Sequence, residues 1–95
     1  MAQGHNLFIS YDLHNPGQNY AAVEEAIKRL GSWAKPNLSY WFVDSAYTPE
    51  KAAEIVWAVM DANDKLIVVD AKTNQAVWYN LAPVVQTHIK KYWNP

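Results

Sequence analysis

The chain has no cysteine, and this absence excludes a disulfide scaffold, a thiolate-bound zinc ion and a cysteine nucleophile. Charge is also scarce, since Lys, Arg, Asp and Glu make up only 18% of the residues. No apolar run approaches the roughly 20 residues that a membrane-spanning helix needs. The opening residues, MAQGHN, lack the basic and apolar stretches of a signal peptide. The sequence therefore predicts a cytoplasmic protein that makes no contact with membranes.

A basic surface is lacking as well. The net charge is −1, and the nearest approach to a basic cluster is the pair Lys90 and Lys91 close to the end of the chain. Proteins that hold long nucleic acids neutralise many phosphates with Lys and Arg. We therefore expect weak binding or none to long nucleic acids.

Apolar and aromatic residues are abundant by contrast. They account for 51% and 14% of the 95 residues, respectively, which is not the composition of a disordered chain. The length suits one small domain, and no linker or internal repeat interrupts it. We predict a single domain over residues 1–95, with its core at about residues 6–81 and a terminal helix at about 82–93.

The first strand is predicted from residues 6–13, NLFISYDL, because apolar side chains alternate there with period two. Such alternation gives the strand two distinct faces. The two predicted faces are Leu7, Ile9, Tyr11 and Leu13 on one side, and Phe8, Ser10 and Asp12 on the other.

Helix and turn signals divide the rest of the chain. Thr48-Pro49-Glu50 predicts the start of a helix, since it offers a hydroxyl cap, a proline in the first position and an acid in the first turn. An earlier helix is predicted to begin after Asn19 and to stop at Gly31. Residues 32–44 are typical of two strands joined by a turn at Pro36-Asn37.

The predicted order of elements is β-α-β-β-α-β, followed by one strand and a short helix. This is an α+β fold with the ferredoxin-like, split-βαβ pattern and a C-terminal extension. Both helices would pack on one face of the sheet and leave the other face open. Because the strand at residues 38–44 is apolar on both sides, we expect a second copy to cover the open face in a homodimer.

Two stretches carry a resemblance to known proteins. The strand FISYDL before a helix, and the later strand LSYWFVD before Thr-Pro-Glu, resemble the small subunit of the CRISPR adaptation complex. The segments YDLHNPGQNYAAVEEAIKRLGSWAKP and DANDKLIVVD are more similar to short proteins described as SinR-like, which share that fold. The virulence-associated protein D ribonucleases are more distant. The resemblance covers about residues 6–81 and implies a ferredoxin-like fold.

The resemblance also implies a catalytic role for one carboxylate. In the CRISPR-type family, the Asp that ends the first strand is the ligand proposed for a catalytic magnesium ion, beside its mate from the partner chain. The matching residue is Asp12. The chain departs from the family pattern after it, since HNPGQNYAA contains no cation before Lys28. A nuclease without such cations lacks the contacts that position phosphates.

The residues themselves leave alternatives open. Asp12 is either a metal ligand or a carboxylate that caps the following turn. His14 is either a proton carrier or a solvated residue of the HNPG turn. The loop that contains Asn15 and Gly17 could offer backbone amides to a phosphate, although it lacks the spacing of known phosphate-binding loops.

Aromatic side chains on the predicted strands are the other candidates for residues that contact a ligand. Aromatic rings on an open sheet can stack on nucleobases, or they can fill the core and a dimer interface. If they bind a ligand, Tyr11, Tyr40 and Trp41 are the predicted contacts, together with His14 and the loop after it.

Two functions follow. The favoured one is a non-catalytic homodimer that binds a small nucleotide-type ligand and needs no cofactor. Such a protein would suit a phage or mobile element that traps a nucleotide signal. The alternative is a magnesium-dependent endonuclease that cleaves RNA or DNA with Asp12 from both chains.

Overall fold

The computed structural model describes residues 4–14 and 20–93. Strands and helices alternate along most of the chain. The elements are β1 (His5–Asp12), α1 (Tyr20–Lys28), β2 (Gly31–Asn37), β3 (Tyr40–Ser45), α2 (Pro49–Trp57), β4 (Lys65–Asp70), β5 (Gln75–Tyr79) and α3 (Pro83–Tyr92).

The five strands form one antiparallel sheet in the order β2-β3-β1-β4-β5. The first strand of the chain is therefore central, with β3 on one side and β4 on the other. The α+β class predicted from the sequence is confirmed as a five-stranded antiparallel sheet with three helices in the described part of the chain. The longest of these helices has ten residues, and no described helix is long and apolar enough to cross a membrane.

One face of the sheet, called the covered face here, carries the hydrophobic core beneath α1 and α2. The alternation predicted for β1 is confirmed, because every second residue from Leu7 to Leu13 is buried. Trp41 lies beside Ile9 in the register of β3 on β1 and is 1% exposed. The helices contribute small and branched side chains to the same cluster: Val23, Ala26 and Ile27 from α1, and Ala52, Ala53 and Val56 from α2.

The start of α2 is as predicted. Thr48 is the N-cap, and its hydroxyl oxygen accepts a hydrogen bond of 3.1 Å from the backbone N–H of Lys51. Pro49 follows in the first turn, where its missing N–H costs nothing. At the other end of the helix, the Trp57 ring stacks on Tyr79 of β5 with 4.6 Å between the ring centroids.

The hairpin of β2 and β3 differs from the prediction in the position of its turn. The strand β2 continues through Pro36 and Asn37, and the turn lies at Leu38 and Ser39. Proline is tolerated because β2 is an edge strand whose register on β3 is irregular between Ala34 and Asn37. Leu38, predicted as a strand residue, is consequently 85% exposed in the turn.

Gly31 begins β2, whereas the sequence predicts that the first helix stops at this residue. A side chain at this position would meet the main chain of β3, since a Cβ would lie 2.1 Å from the carbonyl oxygen of Asp44. The glycine therefore permits the close approach of these two strands.

The terminal helix α3 confirms the helix predicted near residues 82–93 and lies against the second face of the sheet, called the open face here. Ile89 and Trp93 border a cavity of about 240 Å³ together with Ala76 and Trp78 of β5. The indole N–H of Trp93 donates a 2.9 Å hydrogen bond to the carbonyl oxygen of Asn74. This helix shields only the β5 side of the open face.

Candidate functional site

The register of the strands arranges the open face in rows. Two rows composed mainly of apolar residues cross its centre, and a polar row lies on either side of them. The central rows are Ala34, Phe42, Phe8, Val69 and Ala76, followed by Asn37, Tyr40, Ser10, Ile67 and Trp78.

Three aromatic side chains on the adjacent strands β1 and β3 form an aromatic patch, defined here as Phe8, Tyr40 and Phe42. The rings of Phe8 and Tyr40 are stacked with 6.0 Å between their centroids and 18° between their planes. Phe42 lies on the other side of Phe8, at 5.4 Å and tilted by 50°. Tyr40 is 38% exposed, and the two Phe rings are half-buried. Such ring faces can stack on a flat ligand.

Polar side chains border the aromatic patch at both ends. Asn6 pairs with Asp44 across β1 and β3 at one end, and Asp12 pairs with Lys65 across β1 and β4 at the other. Within the ranges 4–14 and 20–93, the carboxylate of Asp44 and the amide of Asn6 form no hydrogen bond or ion pair. These groups are therefore free to bind a ligand.

The aromatic residues predicted to contact a ligand lie on different faces of the sheet. Tyr40 lies in the aromatic patch, whereas Tyr11 and Trp41 belong to the core of the covered face, at 4% and 1% exposure. The alternation of strand side chains explains the separation, because Tyr40 and Trp41 are neighbours in one strand. Tyr11 and Trp41 therefore do not share a surface with Tyr40.

Both buried aromatics keep a polar atom without a partner. The hydroxyl of Tyr11 and the indole N–H of Trp41 make no hydrogen bond among the residues that the structure describes. Burial raises the pKa of the Tyr11 hydroxyl, and the nearby Trp41 indole partly opposes this rise.

The loop after β1 is described only at its first residues. His14 is exposed, and its backbone N–H donates a 2.7 Å hydrogen bond to the buried carboxylate of Asp64. Asp64 also accepts a 2.7 Å bond from the backbone N–H of Asp61, so it ties this loop to the connection between α2 and β4. The predicted contacts Asn15 and Gly17 lie outside the described residues, as does Asn19.

Asp12 is exposed at the end of β1, where the resemblance implies a magnesium ligand. It borders a small cavity of about 120 Å³, with Lys65 beside it. In the described part of the chain, no three His, Cys, Asp or Glu side chains come together. One chain therefore offers one carboxylate and a neighbouring cation, which is a poor fit to magnesium unless a second chain adds its own Asp12.

A polar cluster that the sequence did not reveal lies at the opposite end of β1. Asp70 is fully buried, and its carboxylate accepts hydrogen bonds from Thr73 Oγ1 at 2.6 Å and the Lys72 N–H at 3.0 Å. His5 Nδ1 lies 2.5 Å from the same carboxylate. Burial alone would raise the pKa of Asp70, but the bonds from Thr73, Lys72 and His5 outweigh it and hold this pKa below its usual value. The cluster fastens the β4–β5 turn to the start of β1.

Phe8 and Phe42 were also missed as contact residues, although the signal was present. The alternation of residues 6–13 places Phe8 on the same face as Ser10 and Asp12. Phe42 occupies the position two residues after Tyr40, which in a strand means the same face. The signal for the cluster at Asp70 is weaker, because His5 and Asp70 are 65 residues apart in sequence.

Comparisons with known proteins give no functional information, so a functional conclusion depends on the geometry of the open face. No family model, no curated protein and no solved structure matches this chain.

Proposed function

We propose that this protein binds a small nucleotide-type ligand without catalysing a reaction. The aromatic patch carries the proposal, because three adjoining rings lie on a sheet face that α1 and α2 do not cover. Stacking of a base on one aromatic ring contributes roughly 1–3 kcal/mol to binding. Free polar groups at the border of the patch add the hydrogen bonds that orient such a ligand.

Charge supports a small ligand over a long one. The central rows of the open face contain no Lys or Arg, and Lys65 at one border stands opposite Asp12. A polynucleotide needs several cations along its backbone, whereas one nucleotide presents a single base and few phosphates. The patch is therefore suited to the base itself.

We also propose a homodimer, and α3 supports it. Val84, His88 and Tyr92 recur at a spacing of four residues, and Val84 is 76% exposed. No residue of α3 is buried in the described chain. The sequence predicts that a second copy covers the open face, but that arrangement would bury the aromatic patch. We therefore propose that two copies pair through this stripe instead, which leaves both aromatic patches free. Light scattering at micromolar concentration should give twice the mass of one chain, and the mass of a single chain would contradict the dimer.

The proposed fold family is the ferredoxin-like one that the resemblance implies. Its support is the order β2-β3-β1-β4 of the first four strands, together with α1 and α2 on one face. A cytoplasmic trap for a nucleotide signal, of use to a phage or a mobile element, is the role that we propose for such a binder.

The direct test is to identify what the protein carries from the cell. The purified protein is denatured, and the released small molecules are analysed by mass spectrometry beside a Phe8→Ala, Tyr40→Ala double variant prepared in the same way. We expect a nucleotide or nucleoside from the wild-type protein and much less from the variant. Equal amounts from both proteins would contradict binding at the aromatic patch.

The alternative function is a magnesium-dependent endonuclease. Its support is the exposed position of Asp12 at the end of β1, where the resemblance implies a metal ligand. Cleavage of RNA or DNA would then require a divalent cation and disappear in Asp12→Asn, which keeps the shape and removes the charge. The binding proposal expects no such cleavage.

A further inference from the structure

We propose that the aromatic patch selects guanine among the nucleobases, through the carboxylate of Asp44 and the amide of Asn6. This inference rests on the proposed function and names the ligand class of the same site. The ligand is a free guanosine nucleoside or nucleotide.

The strand geometry places the two polar groups beside the rings. Asp44 follows Phe42 by two residues in β3, and Asn6 precedes Phe8 by two residues in β1. Residues two apart in a strand are on the same face and about 7 Å from each other. Asn6 and Asp44 are also register partners, as are Phe8 and Phe42. A base that stacks on the Phe rings therefore has its edge within reach of this polar pair.

The chemistry of that pair matches the Watson–Crick edge of guanine. An ionised carboxylate only accepts hydrogen bonds, and its two oxygens can take two parallel N–H donors. Guanine presents adjacent donors at N1 and N2 and an acceptor at O6. The carboxylate of Asp44 can accept both donors, while the Asn6 amide can donate to O6.

The other bases fit less well. Adenine and cytosine each present a ring nitrogen acceptor beside their single amino group, and that lone pair would face the negative carboxylate. Uracil has one ring N–H between two carbonyl oxygens, which the carboxylate would also repel. A site built to bond with a donor discriminates strongly against analogues that lack it.

Charge also favours a free guanosine compound over a polynucleotide. Asp44 and Asp12 lie at opposite ends of the patch. Lys65, which pairs with Asp12, is the one cation among the strand residues that form the rows of the open face. A nucleotide stacked by its base can direct its phosphate outward into solvent. A polynucleotide that crosses the patch would bring successive phosphates close to both carboxylates, which would repel them.

The test compares ligands and variants by calorimetric or NMR titration. The probes are guanosine, inosine and adenosine monophosphates and a guanine-containing oligoribonucleotide of about eight residues. Inosine lacks only the amino group on C2, so it isolates one of the two hydrogen bonds to Asp44. We expect guanosine monophosphate to bind roughly tenfold more tightly than inosine monophosphate, and adenosine monophosphate more weakly than both.

The variants are Asp44→Asn and, as a matched control, Glu25→Gln on the exposed side of α1. Asp44→Asn should remove most of the preference for guanosine over adenosine monophosphate, whereas Glu25→Gln should retain it. The carboxylate of Asp44 forms no hydrogen bond or ion pair with any residue in the described ranges, so the variant is expected to fold, which circular dichroism checks.

The possible outcomes separate the inference from the function on which it rests. Equal affinity for all three monophosphates, with loss of binding in Phe8→Ala, would overturn guanine selection and leave the base-binding function intact. Much tighter binding of the oligoribonucleotide would overturn the choice of a free nucleotide. No binding of any probe would overturn both proposals.

Discussion

The two faces of this sheet are built from the same strands and have opposite tasks. On the covered face, aliphatic side chains and Trp41 are sealed beneath two helices. On the open face, the Phe8, Tyr40 and Phe42 rings lie between polar rows, and α3 shields only the β5 side. Successive residues of a strand point to opposite faces, so aromatic residues of one strand can belong either to the core or to the open face. Tyr40 and Trp41 are adjacent in sequence and lie on opposite faces.

The largest expected effect compares neighbouring aromatics in β3. Trp41→Ala should lower the free energy of unfolding by about 3–5 kcal/mol, because it empties a large volume of the core. Phe42→Ala should cost only roughly 1–2 kcal/mol, since this ring is half-buried already. Chemical denaturation of both variants measures the difference. Equal losses would contradict the assignment of the two faces.

A second effect concerns the buried carboxylate of the covered face. Asp70→Asn should destabilise the protein by about 2 kcal/mol at neutral pH, because it weakens bonds to Thr73, Lys72 and His5.

The lowered pKa of Asp70 determines how the effect of Asp70→Asn on the unfolding free energy changes with pH. Folding lowers the pKa of Asp70 below its usual 3.8, so the charged form stabilises the fold above that pH. This contribution is lost as the pH falls through the lowered pKa. The difference in unfolding free energy between wild type and Asp70→Asn should therefore shrink below about pH 3.8. A difference that grows on acidification would contradict the account.

Removal of one ring of the aromatic patch should weaken binding more than stability. Tyr40→Ala is expected to cost roughly 1–3 kcal/mol of base binding, through lost stacking. Its cost in unfolding free energy should stay near 1 kcal/mol or below, because Tyr40 is 38% exposed. Titration with guanosine monophosphate and denaturation of the same sample give both quantities. A large loss of stability with unchanged binding would reverse the roles assigned to the two faces.

The smallest effect is expected at Asp12. It is exposed, and in the described chain its side chain forms no hydrogen bond or ion pair. Asp12→Asn should therefore change the unfolding free energy by less than about 0.5 kcal/mol. It should also leave guanosine monophosphate binding within about twofold of wild type. Loss of a metal-dependent nuclease activity in this variant would favour the alternative function.

Local patterns in the sequence predicted much of the fold. The alternation of residues 6–13 identified both faces of β1, and Thr48-Pro49 marked the start of α2, because these signals depend on near neighbours. The predicted position of the turn in the β2–β3 hairpin was wrong, because β2 continues through Pro36. A proline is tolerated there only because β2 is an edge strand. That position depends on the whole sheet.

The candidate site was less accessible to prediction for the same reason. Tyr40 was identified, but Trp41 was grouped with it although their side chains belong to opposite faces. The pairing of Asn6 with Asp44, and of His5 with Asp70, is fixed by the register between distant strands. Neither pairing has a signal within a short window of sequence.

The central claim is that the open face binds a base while the covered face only holds the fold together. NMR titration of the wild-type protein with guanosine monophosphate tests it most directly, because it reports on both faces in one sample. The account predicts saturable shifts of the ring signals of Phe8, Tyr40 and Phe42, with the signals of Leu7 and Trp41 nearly unchanged. Shifts centred on Trp41, or no shift of the aromatic patch at millimolar nucleotide, would contradict it.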